Sequence, residues 1–207
     1  MTTKMTLHRV LSELKTINKR IDDAMEDFTT TGVLVNGKIK NSSKSVEQFK
    51  ADAKSGYQSI SDLIERRYLL KKALTKANAE TIVKIAGKEM TIADAIDYKK
   101  VIDYKDALLR RLRSNYLNTN NVYNREIETV ECKLEETIKS ATSKNEKPDA
   151  ALVATLTESY RKSHPVEVID PLNISKVIKE LADEVDTFRT EVDAVLSEAN
   201  ATTFVEV

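Results

Sequence analysis

The chain carries no tryptophan, one cysteine, three prolines, four glycines and two histidines in 207 residues. The single thiol, Cys132, excludes an internal disulfide framework and fits a reducing compartment. Few prolines and glycines leave little to interrupt long helices, and the glycines stand alone, so no phosphate-cradling loop is present. His8 and His164 lie far apart and neither has a zinc-ligand spacing. An excess of one charge is missing too: thirty-three basic residues balance thirty-three acidic ones. Net charge therefore supplies no attraction to nucleic acid or to an acidic membrane. No apolar run approaches the roughly 20 residues of a membrane-spanning helix, and none precedes the first amphipathic repeat as a signal peptide would. These absences favour a cytoplasmic protein with no cofactor, no metal, no nucleic-acid partner and no membrane partner.

What is present is heptad spacing. Leu7, Leu14, Ile21 and Phe28 recur every seven residues, with Val10, Ile17 and Ala24 at the offset positions. Near the other end Ile174, Leu181, Phe188 and Val195 form one row, and Ile178, Val185 and Val192 the second. Alternating steps of three and four put such side chains on one stripe of a helix that must be buried against other helices. The expected fold class is mainly α, an antiparallel long-helix bundle with short β-hairpins, forming one domain over residues 1–207.

The first helix is expected over about Thr6–Phe28, ended by Thr29-Thr30-Thr31-Gly32. Val33–Val35 and Lys38–Lys40 flank Asn36-Gly37, a pair suited to a tight primed turn. Ser45 with Gln48 forms a capping box for a second helix, whose apolar face takes in Phe49, Ala53, Tyr57, Ile60, Ile64, Leu70, Leu74 and Ala77. Thr81–Ile85 and Lys88–Thr91 around Ala86-Gly87 suggest another hairpin. Thr91, with Asp94 three residues on, caps a third helix carrying Ile92, Ile96, Val101, Tyr104, Leu108 and Leu112. Its spacing continues through Tyr116, Tyr123, Ile127, Val130, Leu134 and Ile138, favouring one helix to about Ser140 over a break at Asn118–Asn121. Ser143–Pro148 reads as a polar turn, Asp149 starts a shorter helix to about Ser163, Val166–Ile169 reads as a strand, and the last helix begins near Asn173. Thr203–Val207 is left as an edge strand or a loose tail.

The order helix, hairpin, helix, followed by Ala77-Asn78-Ala79-Glu80-Thr81 and a strand pair before Thr91-Ile92-Ala93-Asp94-Ala95-Ile96, resembles the septicolysin-like family. Tyr160-Arg161-Lys162-Ser163 before the last helix and the closing Asn200-Ala201-Thr202-Thr203 are similar to it as well. Residues from about Leu117 to Val153 look like an insertion, a helical-hairpin arm. The resemblance implies a mostly helical, oligomeric protein, supplies no catalytic residues, and departs from the pattern at His164-Pro165. A stand-alone relative with an added arm also fits a phage-encoded protein, for which the compartment is the host cytoplasm.

Candidate chemistry concentrates in two places. Arg113, Tyr116, Asn120 and Tyr123 or Asn124 lie three or four apart on one broad helical face, with Arg110, Asn115 and Arg125 beside them. Arginine forks hold phosphate, tyrosine rings stack on bases, and asparagine reads hydrogen-bonding edges. The alternative is that Tyr116 and Tyr123 belong to the core stripe and the polar residues decorate its rim. Tyr160, Arg161, Lys162, Ser163 and His164 cluster at a helix-to-strand corner, where polar groups also serve to satisfy ending backbone carbonyls. Glu126, Glu128, Glu131, Glu135 and Glu136 interleave with Lys133 and Lys139 and read as a solvated face. Arg66, Arg67, Lys71 and Lys72 read the same way.

The leading functional expectation is a non-catalytic homo-oligomer enclosing a small anionic, nucleotide-like ligand between subunits. Its ligand-binding candidates are Arg110, Arg113, Tyr116, Asn120, Tyr123, Asn124, Tyr160 and Arg161. The runner-up is a structural or adaptor protein assembling through helical-bundle contacts. Membrane lysis, suggested by the family name alone, is opposed by the balanced charge and the lack of a basic amphipathic face.

Overall fold

The computed structural model describes residues 3–141 and 149–207. They are 75% helical, with five helices and short antiparallel strand pairs among the described residues. In chain order these are β1 (Lys4–Thr6), α1 (Leu7–Glu26), β2 (Leu34–Val35), β3 (Lys38–Ile39), α2 (Val46–Glu80), β4 (Ile82–Ile85), β5 (Lys88–Thr91), α3 (Ile92–Ala141), α4 (Ala150–Ser163), α5 (Ile174–Thr202) and β6 (Phe204–Glu206). The mainly-α architecture expected from the heptads is what the chain adopts. The expected turn at Ser143–Pro148 lies outside the described residues.

The chain divides into two compact units, the residues up to Lys100 with Thr187–Val207, and Val101–Asp186. In the first unit, α1 buries Leu7, Val10, Ile17 and Ile21 against α2, which buries Ile60, Leu70, Leu74 and Ala77. The heptad row thus does what its spacing requires, each fully buried aliphatic side chain contributing about 1.5–3 kcal/mol. Arg66 Nε donates to Glu13 Oε1 at 2.9 Å, and Arg67 Nε to Asn18 Oδ1 at 2.6 Å, so α2's basic run also ties it to α1. Phe188 and Val192 of α5 complete this core, with the Phe188 ring 5.1 Å from Tyr98.

Both hairpins form where the turn residues place them. Asn36 and Gly37 have φ of 49° and 76°, and Ala86 and Gly87 have 51° and 76°, the paired positive angles of a primed turn. An alanine in that region costs about 1–2 kcal/mol. The Glu191 carboxylate accepts from the Ala86 N–H at 2.6 Å and helps hold the turn. Ser45 and Gln48 exchange both capping-box bonds, at 3.2 and 3.3 Å. The C-terminal tail is a strand rather than loose: β6 pairs antiparallel with β1, Met5 opposite Val205, and β1 itself has no signal in the alternation of three residues.

Three expectations need correction. Val166–Ile169 forms no strand; its β-branched composition favours extension, but a strand needs a partner edge and the described strands pair only among themselves. In α2, Tyr57 and Ile64 are exposed rather than part of the buried face. In α3, the buried residues are Ile92, Ala95, Ile102, Leu109 and Leu134, while Ile96, Tyr104 and Leu108 are exposed. Two residues of helix turn the chain through about 200°, so Tyr104 sits nearly opposite Ile102: the helix is apolar on two sides and the structure buries the other one.

In the second unit, α3 runs without a break through Asn118–Asn121. Asp149 caps α4 by accepting from Ala151 N–H at 3.0 Å, and Asp170 does the same for α5, its carboxylate oxygens accepting from Ile174 N–H at 3.0 and 2.9 Å. Lys105 Nζ meets Glu184 Oε2 at 2.6 Å, and Ile102, Leu109, Leu134 and Val185 are buried.

Candidate functional site

All eight candidate residues fall in the second unit, but not at one place. Ile102, Leu109, Tyr116 and Tyr123 stand seven apart on α3, so the polar face is a direct continuation of the buried stripe. Leu134 is buried again farther on. Arg113, Tyr116, Asn120 and Tyr123 therefore interrupt an otherwise apolar row. Asn120 and Tyr123 are half-buried; Arg110, Arg113, Tyr116 and Asn124 are exposed.

Tyr160 and Arg161 belong to α4. Arg161 forms a two-pronged pair with Glu131, Nε to Oε1 at 3.0 Å and Nη2 to Oε2 at 2.9 Å. Glu131 lies about 27 Å along α3 from Arg113 at 1.5 Å per residue, so Arg161 does not join the Arg113 face. Tyr160 stacks on the His164 ring with centroids 4.2 Å apart. Its carbonyl accepts from Ser163 Oγ at 2.9 Å and from the His164 N–H at 3.0 Å. The corner's polar groups thus close the end of α4. Arg110 is engaged within its own helix, Nη1 to Asp106 Oδ2 at 2.7 Å.

A concavity of about 370 Å³ is lined by Asn118, Thr119, Val122, Tyr123 and Glu126 of α3 together with Val166–Ile169, so Tyr123 is the candidate residue that reaches it, and Arg113, Tyr116 and Asn120 do not. Its two carboxylates, Glu126 and Glu167, and its apolar wall suit an apolar segment better than an anion. Another hollow of about 480 Å³, in the first unit, has Phe28, Ile39 and Phe49 at its floor and Asp27, Lys40, Lys44 and Asp52 at its rim. Those charges cancel, and Lys44 and Asp52 are already paired. Gly56 opposite is explained by packing, since a Cβ there would stand 3.0 Å from the Phe28 ring. No group of histidine, cysteine, aspartate and glutamate able to hold a metal ion occurs among the described residues. No helix among them is long and apolar enough to cross a membrane. No family model, curated protein or solved structure matches this chain.

The Arg161–Glu131 pair carries the resolved electrostatic effect of this region. The hydrogen bond from Arg161 holds the Glu131 carboxyl below its ordinary range, helped by the arginine charge and opposed by desolvation; the same bond raises Arg161. A carboxyl lowered in the folded state contributes stability above its unfolded pKa, and that contribution is lost as pH falls through the lowered value. In a carboxyl-detected NMR titration Glu131 is expected to titrate below the ordinary glutamate range. Arg161→Ala returns it to the ordinary range, and a midpoint unmoved by that substitution counts against the pair.

Sequence reasoning did not single out Tyr57, Ser61, Ile64 and Tyr68 of α2 as a separate stripe. Their steps of four, three and four were the available signal. Tyr57 is 65% exposed, Ile64 49% and Tyr68 57%, on the same helix whose other side is packed on α1.

Proposed function

We propose that this protein is a structural or adaptor protein that assembles with copies of itself through helix faces. The observation that carries the reading is the α2 stripe of Tyr57, Ile64 and Tyr68, all exposed at the spacing of a helix–helix seam. Apolar side chains so arranged are stabilised when a second helix removes them from water, at about 25 cal/mol per Å² of apolar surface. Tyrosine is among the residues that most often anchor interfaces. The resemblance to the septicolysin-like family adds the expectation of a helical oligomer.

Sedimentation equilibrium tests it. The wild-type chain is expected to sediment as one defined multiple of 23.3 kDa at micromolar concentration, and Ile64→Lys is expected to dissociate it with an unchanged far-UV helix signal. A wild-type protein sedimenting as a single chain throughout that range refutes the reading.

A second reading keeps the small anionic, nucleotide-like ligand. It is favoured by Arg113, Tyr116, Asn120 and Tyr123 interrupting the apolar row of α3, where an assembly would bring their face close to a neighbour. Mass spectrometry of material released on denaturation, with nucleotide calorimetry on wild type and Arg113→Ala, separates it from assembly alone.

A further inference from the structure

The segment Val166-Glu167-Val168-Ile169 has the composition of a strand and none of its bonds. No backbone N–H or C=O from Val166 to Ile169 has a hydrogen-bond partner among the described residues. Ile169 is 91% exposed and Val168 42%, while Val166 is half-buried on the groove shared with Val122 and Tyr123. A β-branched run with open backbone edges is a template for pairing with another chain, and α3 behind it supplies the support that a two-stranded ribbon lacks on its own.

We propose that this segment pairs antiparallel with the same segment of a second copy, in the register that sets Val168 opposite the partner's Val168. The proposal rests on the self-assembly reading and names a contact for it. A closed pair of copies is related by a two-fold axis, and across antiparallel strands residues opposite one another share a face. Only registers that place a residue opposite its own counterpart satisfy both conditions. Centring on Glu167 opposes two carboxylates, which is destabilising. Centring on Ile169 draws Pro171 into the ladder, where it has no N–H to donate.

Centring on Val168 avoids both. Pro165 and Pro171 stand three residues to either side of it, so they face each other across the pair and bound a ladder running from Val166 to Asp170. Glu167 then lies opposite Ile169, and Val166 opposite Asp170.

Cross-linking tests the register. Each variant is made with Cys132→Ser, because Cys132 is exposed, and is oxidised gently at micromolar concentration. Directly opposed strand positions bring Cβ atoms to about 4.5–5.5 Å, a small shift from the roughly 3.5–4.5 Å a disulfide spans, while diagonal positions are farther apart. Val168→Cys is expected to form covalent dimers about tenfold faster than Ile169→Cys. Equal rates, or no cross-link while the wild-type oligomer persists, overturn the self-pairing and leave assembly through α2 intact. A purified chain whose segment pairs only with a different protein gives that same absence of cross-link, which also overturns the proposal. A wild-type monomer overturns both this inference and the reading it rests on.

Discussion

Phe188→Ala is expected to cost about 3–5 kcal/mol of stability, the range for truncating a buried aromatic side chain. At about 2–4 °C per kcal/mol for a chain of this size, the melting temperature falls by roughly 6–20 °C. The reason is position. Phe188 is 2% exposed, lies on the heptad row of α5, and meets the Tyr98 ring at 59°, a tilted contact worth about 0.5–1.5 kcal/mol beyond area burial. Truncation leaves a hole beside the Tyr98 ring that the surrounding side chains close only in part. Thermal unfolding followed by circular dichroism checks it, with Phe204→Ala as the comparison. Phe204 is exposed on β6 and touched by the Lys4 ammonium at 5.3 Å, so its loss should fall within about 0.5 kcal/mol. If the two units melt in separate steps, the Phe188→Ala loss belongs to the step of the unit containing α1 and α2. Equal effects from the two substitutions would show that the heptad row is not the core.

The helices at the two ends were legible because each has one apolar stripe and polar residues elsewhere. In α1 the row Leu7, Val10, Ile17 and Ile21 has no rival, and all four are buried. In α5, Val185, Phe188 and Val192 are buried for the same reason. α3 differs. Ile102 and Leu109 compete with Tyr104 and Leu108, and periodicity describes both stripes without saying which one another element will cover. That choice is made by residues distant in sequence, as is the absence of a strand at Val166–Ile169: a strand is a relation between two segments, and one segment's composition states only half of it. The two hairpins needed no such information, because Asn36-Gly37 and Ala86-Gly87 carry their turn geometry locally.

The candidate site was legible to a smaller degree. That Arg113, Tyr116, Asn120 and Tyr123 share a side of α3 follows from helix geometry and holds. That Arg161 is engaged by Glu131 does not follow from sequence, since the two lie thirty residues apart with equally good acidic candidates on either side. Arg110 could have been paired from its i to i+4 spacing with Asp106, the ordinary arrangement of opposite charges on one helix. Sequence pattern finds charges along an element well. It finds the charges that face them from another element only when the packing register is known.

Leu70→Ala and Tyr68→Ala, two residues apart on α2, are expected to fail in opposite ways. Leu70 is fully buried, so its truncation should cost about 2–5 kcal/mol within each protomer and lower the melting temperature at every protein concentration. Tyr68 belongs to the exposed stripe; its truncation should cost a lone chain no more than about 0.5 kcal/mol. In the assembly it removes an anchor from the proposed seam. A loss of about 2 kcal/mol there, the threshold for an interface residue that matters, weakens association roughly 30-fold. The two measurements are chemical denaturation in the dilute limit and sedimentation equilibrium across concentrations. Leu70→Ala is expected to move the first strongly, and Tyr68→Ala the second alone. Were Tyr68→Ala to leave association unchanged, α2 would present its tyrosines to water, and the self-assembly reading would lose the observation that carries it.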